Sequence, residues 1–143
     1  MLVQATAPAT QRMTFDQMLE RVRYDGAYPT RARAERTVRA VLAALGRQVT
    51  GDERVALAAC LPEEAAREFT SQAPGVEQLS GWGFVKDLAG RLGGTQATAR
   101  WDTGAVLGVV AHLAGPDVLD RVLAGLPGGY ALLFGRAELA RAA

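Results

Sequence analysis

Cysteine and histidine are nearly absent from this sequence. Its 143 residues include one cysteine, Cys60, and one histidine, His112. A single cysteine cannot form a disulfide within the chain, which is typical of proteins of the reducing cytoplasm. A structural zinc site usually needs four Cys and His ligands, so this pair excludes a zinc site of that kind. We therefore expect a cytoplasmic protein without a metal.

Long apolar runs, an excess of one charge and catalytic motifs are also missing. The longest nearly uninterrupted apolar run, Gly104 to Gly115, is shorter than the about 20 residues that a transmembrane helix needs. The formal net charge of +1 provides no attraction to nucleic acid or to a membrane surface. Neither a phosphate-binding loop nor a Gly-x-Ser-x-Gly motif occurs. We expect no membrane partner, no cofactor and no catalytic residue.

The remaining composition is that of one globular domain. Hydrophobic residues make up 49% of the chain and charged residues 22%, which excludes a disordered protein. Residues 1–12 lack the positive start and apolar core of a secretory signal, and their small residues predict a disordered tail. The domain is therefore expected to span residues 13–140.

Apolar residues recur with the period of an α-helix, and no segment alternates with the period of a strand. The three clearest stripes are Phe15-Met18-Leu19-Val22, Val38-Val41-Leu42-Leu45 and Val106-Val109-Val110-Leu113. Thr14 is placed to cap the first helix, while Gly115 and Pro116 are placed to stop the third. The sequence predicts an all-α fold.

The second half of the chain repeats features of the first half at an offset of 65 residues. The matches are Leu61-Pro62 with Leu126-Pro127, Asp52 with Asp117, Phe69 with Phe134, and Ala40-Val41-Leu42 with Ala105-Val106-Leu107. We interpret residues 13–70 and 80–140 as two pseudo-symmetric repeats of about four helices each, joined by a linker at 71–79 and packed as one bundle.

Each repeat is expected to end in a helix that starts at its Leu-Pro pair. Proline has no amide hydrogen and a preset φ, so it suits the first turn of a helix. Seven residues after Pro62 and Pro127 come Phe69 and Phe134. We predict that these four residues are structural anchors, with the two phenylalanines buried in equivalent places.

The strongest local charge is a cluster of arginines between residues 21 and 47, offset nearby only by Asp25 and Glu35. With Tyr28, which lies in the connection between two predicted helices, it forms a candidate interaction surface. The members proposed for that surface are Arg21, Arg23, Tyr28, Arg31, Arg36 and Arg39. The alternative is an ordinary solvated helix face, which the near-zero net charge favours.

Other chemically notable residues have simpler structural explanations. His112 lies off the apolar stripe of its helix and is expected at the surface, and Cys60 is expected to be half-buried. The acidic pairs 52–53 and 63–64 fall in first turns, where they complement the helix dipole. Trp82 and Trp101 are expected to anchor the core or a loop.

Three segments carry a resemblance to a known family. They are MTFDQMLERVRYDGAYPTRARAERTVRAVLAALG, ACLPEEAAREF and VLAGLPGGYALLFG. From Met13 to Gly135 the chain resembles the bacterial domain-of-unknown-function family numbered 2267. The resemblance implies a small all-helical protein and no catalytic residues, and some proteins of that family also contain nucleotide-sensing CBS domains. Gly128-Gly129 departs from the family's usual acidic or alanine residues, which predicts that the last helix starts late.

We interpret the sequence as a non-enzymatic cytoplasmic helical module, regulatory or stress-related, that acts through protein–protein contacts. A second copy of the chain is one candidate partner. Two alternatives stay open. The arginine cluster 21–47 could bind nucleic acid or an acidic partner, and a pocket between the repeats could bind a small molecule.

Overall fold

In the computed structural model, residues 13–75 and 77–136 are described, and they form seven helices and no strand. The helices are α1 (Phe15–Gly26), α2 (Arg31–Gly46), α3 (Gly51–Cys60), α4 (Glu63–Thr70), α5 (Gly81–Leu92), α6 (Gln96–Ala124) and α7 (Tyr130–Leu133). The prediction of an all-α fold is confirmed. The expected tail at 1–12, Val76 of the expected linker and residues 137–140 of the second expected repeat lie outside the described residues.

Hydroxyl side chains define where the longer helices begin. The Thr14 hydroxyl accepts a hydrogen bond from the Gln17 amide, while the Gln17 side chain accepts one from the Thr14 amide. This reciprocal pair satisfies two amides that the first turn leaves without a partner. Thr30, Ser80 and Thr95 cap α2, α5 and α6 in the same way with one hydrogen bond each. The predicted cap at Thr14 is confirmed.

Two long helices, α2 and α6, form the centre of the bundle. α2 packs against α1, α4, α5 and α6, and α6 also contacts α1, α3, α5 and α7. The residues of the three predicted stripes are buried apart from Leu113, which is half-buried. Burial of this continuous apolar core is the main term that favours folding. None of the described helices has the length and hydropathy that crossing a membrane requires.

A sharp kink interrupts α6 at the place where the sequence predicts a helix end. Gly115 has φ 79° and ψ 165°, a conformation that residues with a side chain rarely adopt, and Pro116 follows it. Gly115 therefore ends one helical segment, and a second begins directly after it, so that Gln96–Ala124 consists of two helical segments that meet at the kink. The predicted stop at Gly115 and Pro116 is confirmed, and Asp117 lies in the first turn of the second segment.

The two Leu-Pro corners differ in structure. Pro62 directly precedes α4, and Phe69 on that helix is fully buried, as expected. The final helix, in contrast, starts at Tyr130, three residues after Pro127, so the prediction that it starts at the Leu-Pro pair is wrong. Phe134 is buried but lies just beyond α7 rather than on it.

The late start of α7 follows from a close contact between two glycines. Gly129 has φ 99°, and the Gly81 amide donates a 2.9 Å hydrogen bond to the Gly128 carbonyl. A Cβ atom on Gly81 would lie 2.6 Å from the Gly129 carbonyl carbon. The two backbones can approach this closely only because both positions lack a side chain.

Two glycines of α5 are expected to respond in opposite ways to alanine. Gly90 is exposed, and a Cβ there would meet no atom within 4 Å. Gly90→Ala should therefore raise the free energy of unfolding by about 0.5–1 kcal/mol. Gly81→Ala should lower it by about 1–3 kcal/mol, since the new methyl group collides with backbone atoms. Urea unfolding of both variants measures this contrast, and stabilisation by Gly81→Ala would contradict the close contact.

Candidate functional site

Carboxylates neutralise most of the arginine cluster. Five of its arginines form ion pairs: Arg21 with Asp25 (3.0 Å), Arg23 with Glu20 (3.0 Å), Arg31 with Asp16 (2.5 Å), Arg39 with Glu35 (2.8 Å) and Glu68 (2.9 Å), and Arg47 with Asp87 (3.9 Å). The fold brings four of these acids, at positions 16, 20, 68 and 87, to the cluster from outside the stretch 21–47. The resulting surface has charges of both signs, which weakens the attraction to a polyanion.

Several of these arginines hold neighbouring helices to α2. Arg31 connects α2 to α1, Arg39 connects it to α4, and Arg47 connects it to α5. Hydrogen bonds to Glu35 and Glu68 raise the pKa of Arg39, while burial lowers the pKa of Arg47. Arg36 is exposed and has no carboxylate partner among the residues that the structure describes.

Tyr28 lies in the interior, so the prediction that it belongs to an exposed interaction surface is wrong. Only 6% of the residue is exposed, and its hydroxyl donates a 2.5 Å hydrogen bond to the Asp102 carboxylate on α6. Burial, followed by this hydrogen bond, raises the pKa of the Tyr28 hydroxyl. The reason is the turn after α1, where Ala27 has φ 55° and the tyrosine ring lies against the Cα of Gly26.

Trp101 holds the same turn from the outside. Its indole Nε1–H donates a 2.9 Å hydrogen bond to the Gly26 carbonyl, yet 57% of the residue is exposed. Trp101 therefore anchors a loop, as expected, without being buried. Trp82 is 66% exposed, so its expected place in the core or as a loop anchor is not supported. The sequence contains a signal for the exposure of Trp101, because its position on α6 lies opposite the stripe of buried residues.

A small cavity lies where α1 packs against α6. Its volume is about 130 Å³, and its lining residues are Met13, Arg21, Asp25, Gly108, Val109 and His112. His112 is exposed, as predicted. This cavity brings together a guanidinium, a carboxylate and an imidazole from the two halves of the chain. No three His, Cys, Asp or Glu side chains in the described ranges are arranged to hold a metal ion.

The other residues singled out in the sequence, which are Cys60, the acidic pairs and the two prolines, have structural roles. Cys60 is half-buried, as predicted, and its Sγ–H donates to the Ala56 carbonyl one helical turn earlier. The acidic pairs 52–53 and 63–64 lie in the first turns of α3 and α4, as predicted. Pro62 is buried and Pro127 is half-buried at their corners.

Sequence reasoning missed Arg54, which organises the end of α2. Its guanidinium donates to the carbonyls of Gly46, Val49 (3.1 Å) and Gln72 (2.7 Å), and it lies 5.4 Å from the centre of the Phe69 ring. Arg54 thereby satisfies carbonyl groups that the helix end leaves without an amide partner. No periodic signal identifies such a residue, since all its acceptors come from other segments.

Two comparisons with known proteins bear on this chain. A family model described as "Uncharacterized conserved protein (DUF2267)" matches residues 15–133, which include all seven helices. Among curated proteins, none matches.

Proposed function

The chain belongs to the DUF2267 family, and from its own surface we propose that it is a non-enzymatic cytoplasmic helical module that binds a protein partner around Trp101. The observation that carries this proposal is the preorganised exposure of that side chain. A tryptophan held in place by a hydrogen bond, with more than half of its surface in water, loses little freedom when a partner covers it.

The surroundings of Trp101 support a rigid binding surface. The next residue, Asp102, is buried and hydrogen-bonded to Tyr28, so the backbone that carries the indole is fixed on its inner side. Gly26, whose carbonyl accepts the hydrogen bond from the indole, is itself packed against the Tyr28 ring. Tryptophan is enriched among the residues that dominate binding energy in protein interfaces, whereas exposed pairs of opposite charge contribute little.

The ion pairs make the arginine cluster a weaker candidate for binding nucleic acid. To bind nucleic acid, Arg31 and Arg39 would have to exchange a carboxylate for each phosphate contact, which offsets much of the gain. The surroundings of Cys60 and of the acidic pairs, described above, favour a module without catalytic activity. A lone half-buried thiol suits a reducing cytoplasm.

We also propose that the module is built from two related halves. Matched helix contacts support this: α1–α2 corresponds to α5–α6, α2–α4 to α6–α7, and α1–α6 to α2–α5. A glycine with positive φ stands at the start of α3 and at the kink of α6. In this arrangement, the surface around Trp101 lies where the first half meets the second.

Site-specific cross-linking tests the proposed surface. With benzoylphenylalanine in place of the exposed Ala97, one turn before Trp101 on α6, illumination of cells of the source organism should produce a discrete adduct of the 15.1 kDa chain. Benzoylphenylalanine in place of the exposed Trp82 on α5 is the control and should produce no such adduct. Mass spectrometry distinguishes a second copy of the chain from another protein.

Affinity measurements with the captured partner complete this test. Trp101→Ala should weaken its binding by about 30-fold or more, because an interface hot spot contributes about 2 kcal/mol or more. An adduct from position 82 with none from position 97 would show that the binding surface lies elsewhere.

A further inference from the structure

The cavity between α1 and α6 combines features that the protein–protein proposal does not use. Its volume of about 130 Å³ is smaller than the pockets of about 300–1,000 Å³ that enclose a whole drug-sized ligand. It is nevertheless larger than the space that one water molecule occupies. A single functional group, or one end of a metabolite, fits such a volume.

Arg21 is held so that part of its guanidinium stays available. Its Nε donates a 3.0 Å hydrogen bond to the Asp25 carboxylate one turn further along α1. In the part of the chain that the structure describes, the terminal nitrogens of Arg21 have no hydrogen-bond partner. A guanidinium has five N–H donors in a fixed planar fork, so one side can bind Asp25 while the other binds an anion. Asp25 is in this arrangement a positioning residue.

The opposite wall of the cavity comes from α6. His112 provides a second N–H donor, and Gly108, one turn before it, leaves room between the two helices. A Cβ on Gly108 would meet no atom within 4 Å, so close packing does not require a glycine at this position. Glycine also costs about 1 kcal/mol in a helix interior relative to alanine. The residue therefore keeps the cavity open at some cost to the helix.

We propose that this cavity is a binding site for a small oxyanion, a phosphate or a carboxylate group, held by Arg21 and His112. Because α1 belongs to the first half of the chain and α6 to the second, the anion would connect the two halves. The site is separate from Trp101, which lies two turns before Gly108 on α6.

His112 offers a specific readout, because it is the only histidine in the chain. The imidazole carbon-bound protons can be followed by NMR while inorganic phosphate, acetate or chloride is added at constant pH and ionic strength. We expect a saturable shift with phosphate or acetate and none with chloride. The oxyanion that saturates at the lower concentration identifies the preferred group.

Three variants make the test decisive. Arg21→Gln should weaken the binding of the oxyanion by about tenfold or more, since the substitution removes charge-assisted hydrogen bonds. Gly108→Leu should abolish the saturable shift by filling the cavity. Gly90→Leu, at an exposed glycine in the last turn of α5, is the control and should bind like the unchanged protein. A shift that does not saturate, or equal binding by Gly108→Leu and Gly90→Leu, would overturn the proposal.

Discussion

Replacement of Phe69 by alanine is expected to lower the free energy of unfolding by about 3–5 kcal/mol. The ring is fully buried, and the Phe69 carbonyl lies against Gly46, so the surrounding backbone has little room to move into the vacated volume. The Arg54 guanidinium near the ring would also lose a packing partner. A decrease of this size corresponds to about 10 °C or more in Tm, which calorimetry measures directly.

Phe134→Ala tests the same expectation in the second half of the chain. Phe134 is buried to a similar degree, so a loss in the same range of about 3–5 kcal/mol is expected. Leu132→Ala is the matched control, since that side chain is 56% exposed and its loss should change stability by less than about 0.5 kcal/mol. If either phenylalanine variant melts within a degree or two of the unchanged protein, the two residues are not equivalent anchors.

The second large effect is expected at the hydrogen bond between Tyr28 and Asp102. Tyr28→Phe removes the donor and leaves a buried carboxylate without it, which should cost about 1.5–3 kcal/mol. Adding Asp102→Leu should restore part of this loss, because the unsatisfied carboxylate is then absent. Tyr24→Phe alters an exposed ring and serves as the control. Equal stability of Tyr28→Phe and Tyr24→Phe in urea unfolding would show that the hydrogen bond contributes nothing.

Alkaline pH provides an independent measurement of the same residue. Burial raises the pKa of both Tyr28 and Tyr130, so the folded state keeps their protons where the unfolded chain begins to lose them. Stability should therefore be fully present below about pH 10 and should fall above it, by about 1.4 kcal/mol per pH unit for each tyrosine. Tyr28→Phe should remove about half of this slope. An unchanged slope would show that Tyr28 ionises equally in both states.

The residues that were predictable from sequence act through their own helix. The stripe of α1 is buried and Thr14 caps its start, because periodicity and capping depend on residues within four positions of one another. The partners of the arginines and of Tyr28 could not be predicted in this way. Glu68 pairs with Arg39 across 29 positions, and Asp102 draws Tyr28 inward across 74, so each partner is visible only after the helices are packed.

Gly128-Gly129 shows a different limit. Helix propensity correctly predicts that these residues do not belong in a helix and that α7 starts late. It gives no reason for two glycines at that corner. The reason is the approach of Gly81, almost 50 positions earlier, whose backbone occupies the space that side chains would need. A comparison of the two halves aligns Pro127 with Pro62 but does not reveal this contact. In the first half Pro62 leads directly into α4, with no pair of glycines between them.

The hydrogen bonds at the Gly26–Tyr28 turn also set an order of events during synthesis. They join residues 74 and 75 positions apart, so the Tyr28 hydroxyl and the Gly26 carbonyl emerge from the ribosome 74 and 75 residues of synthesis before their partners do. At about 5–20 residues per second, this interval lasts roughly 4–15 s. Throughout that time the side of α1 that will face α6 remains uncovered. The nascent first half therefore exposes an apolar helix face, the kind of surface that chaperones bind, until Asp102 has emerged from the ribosome.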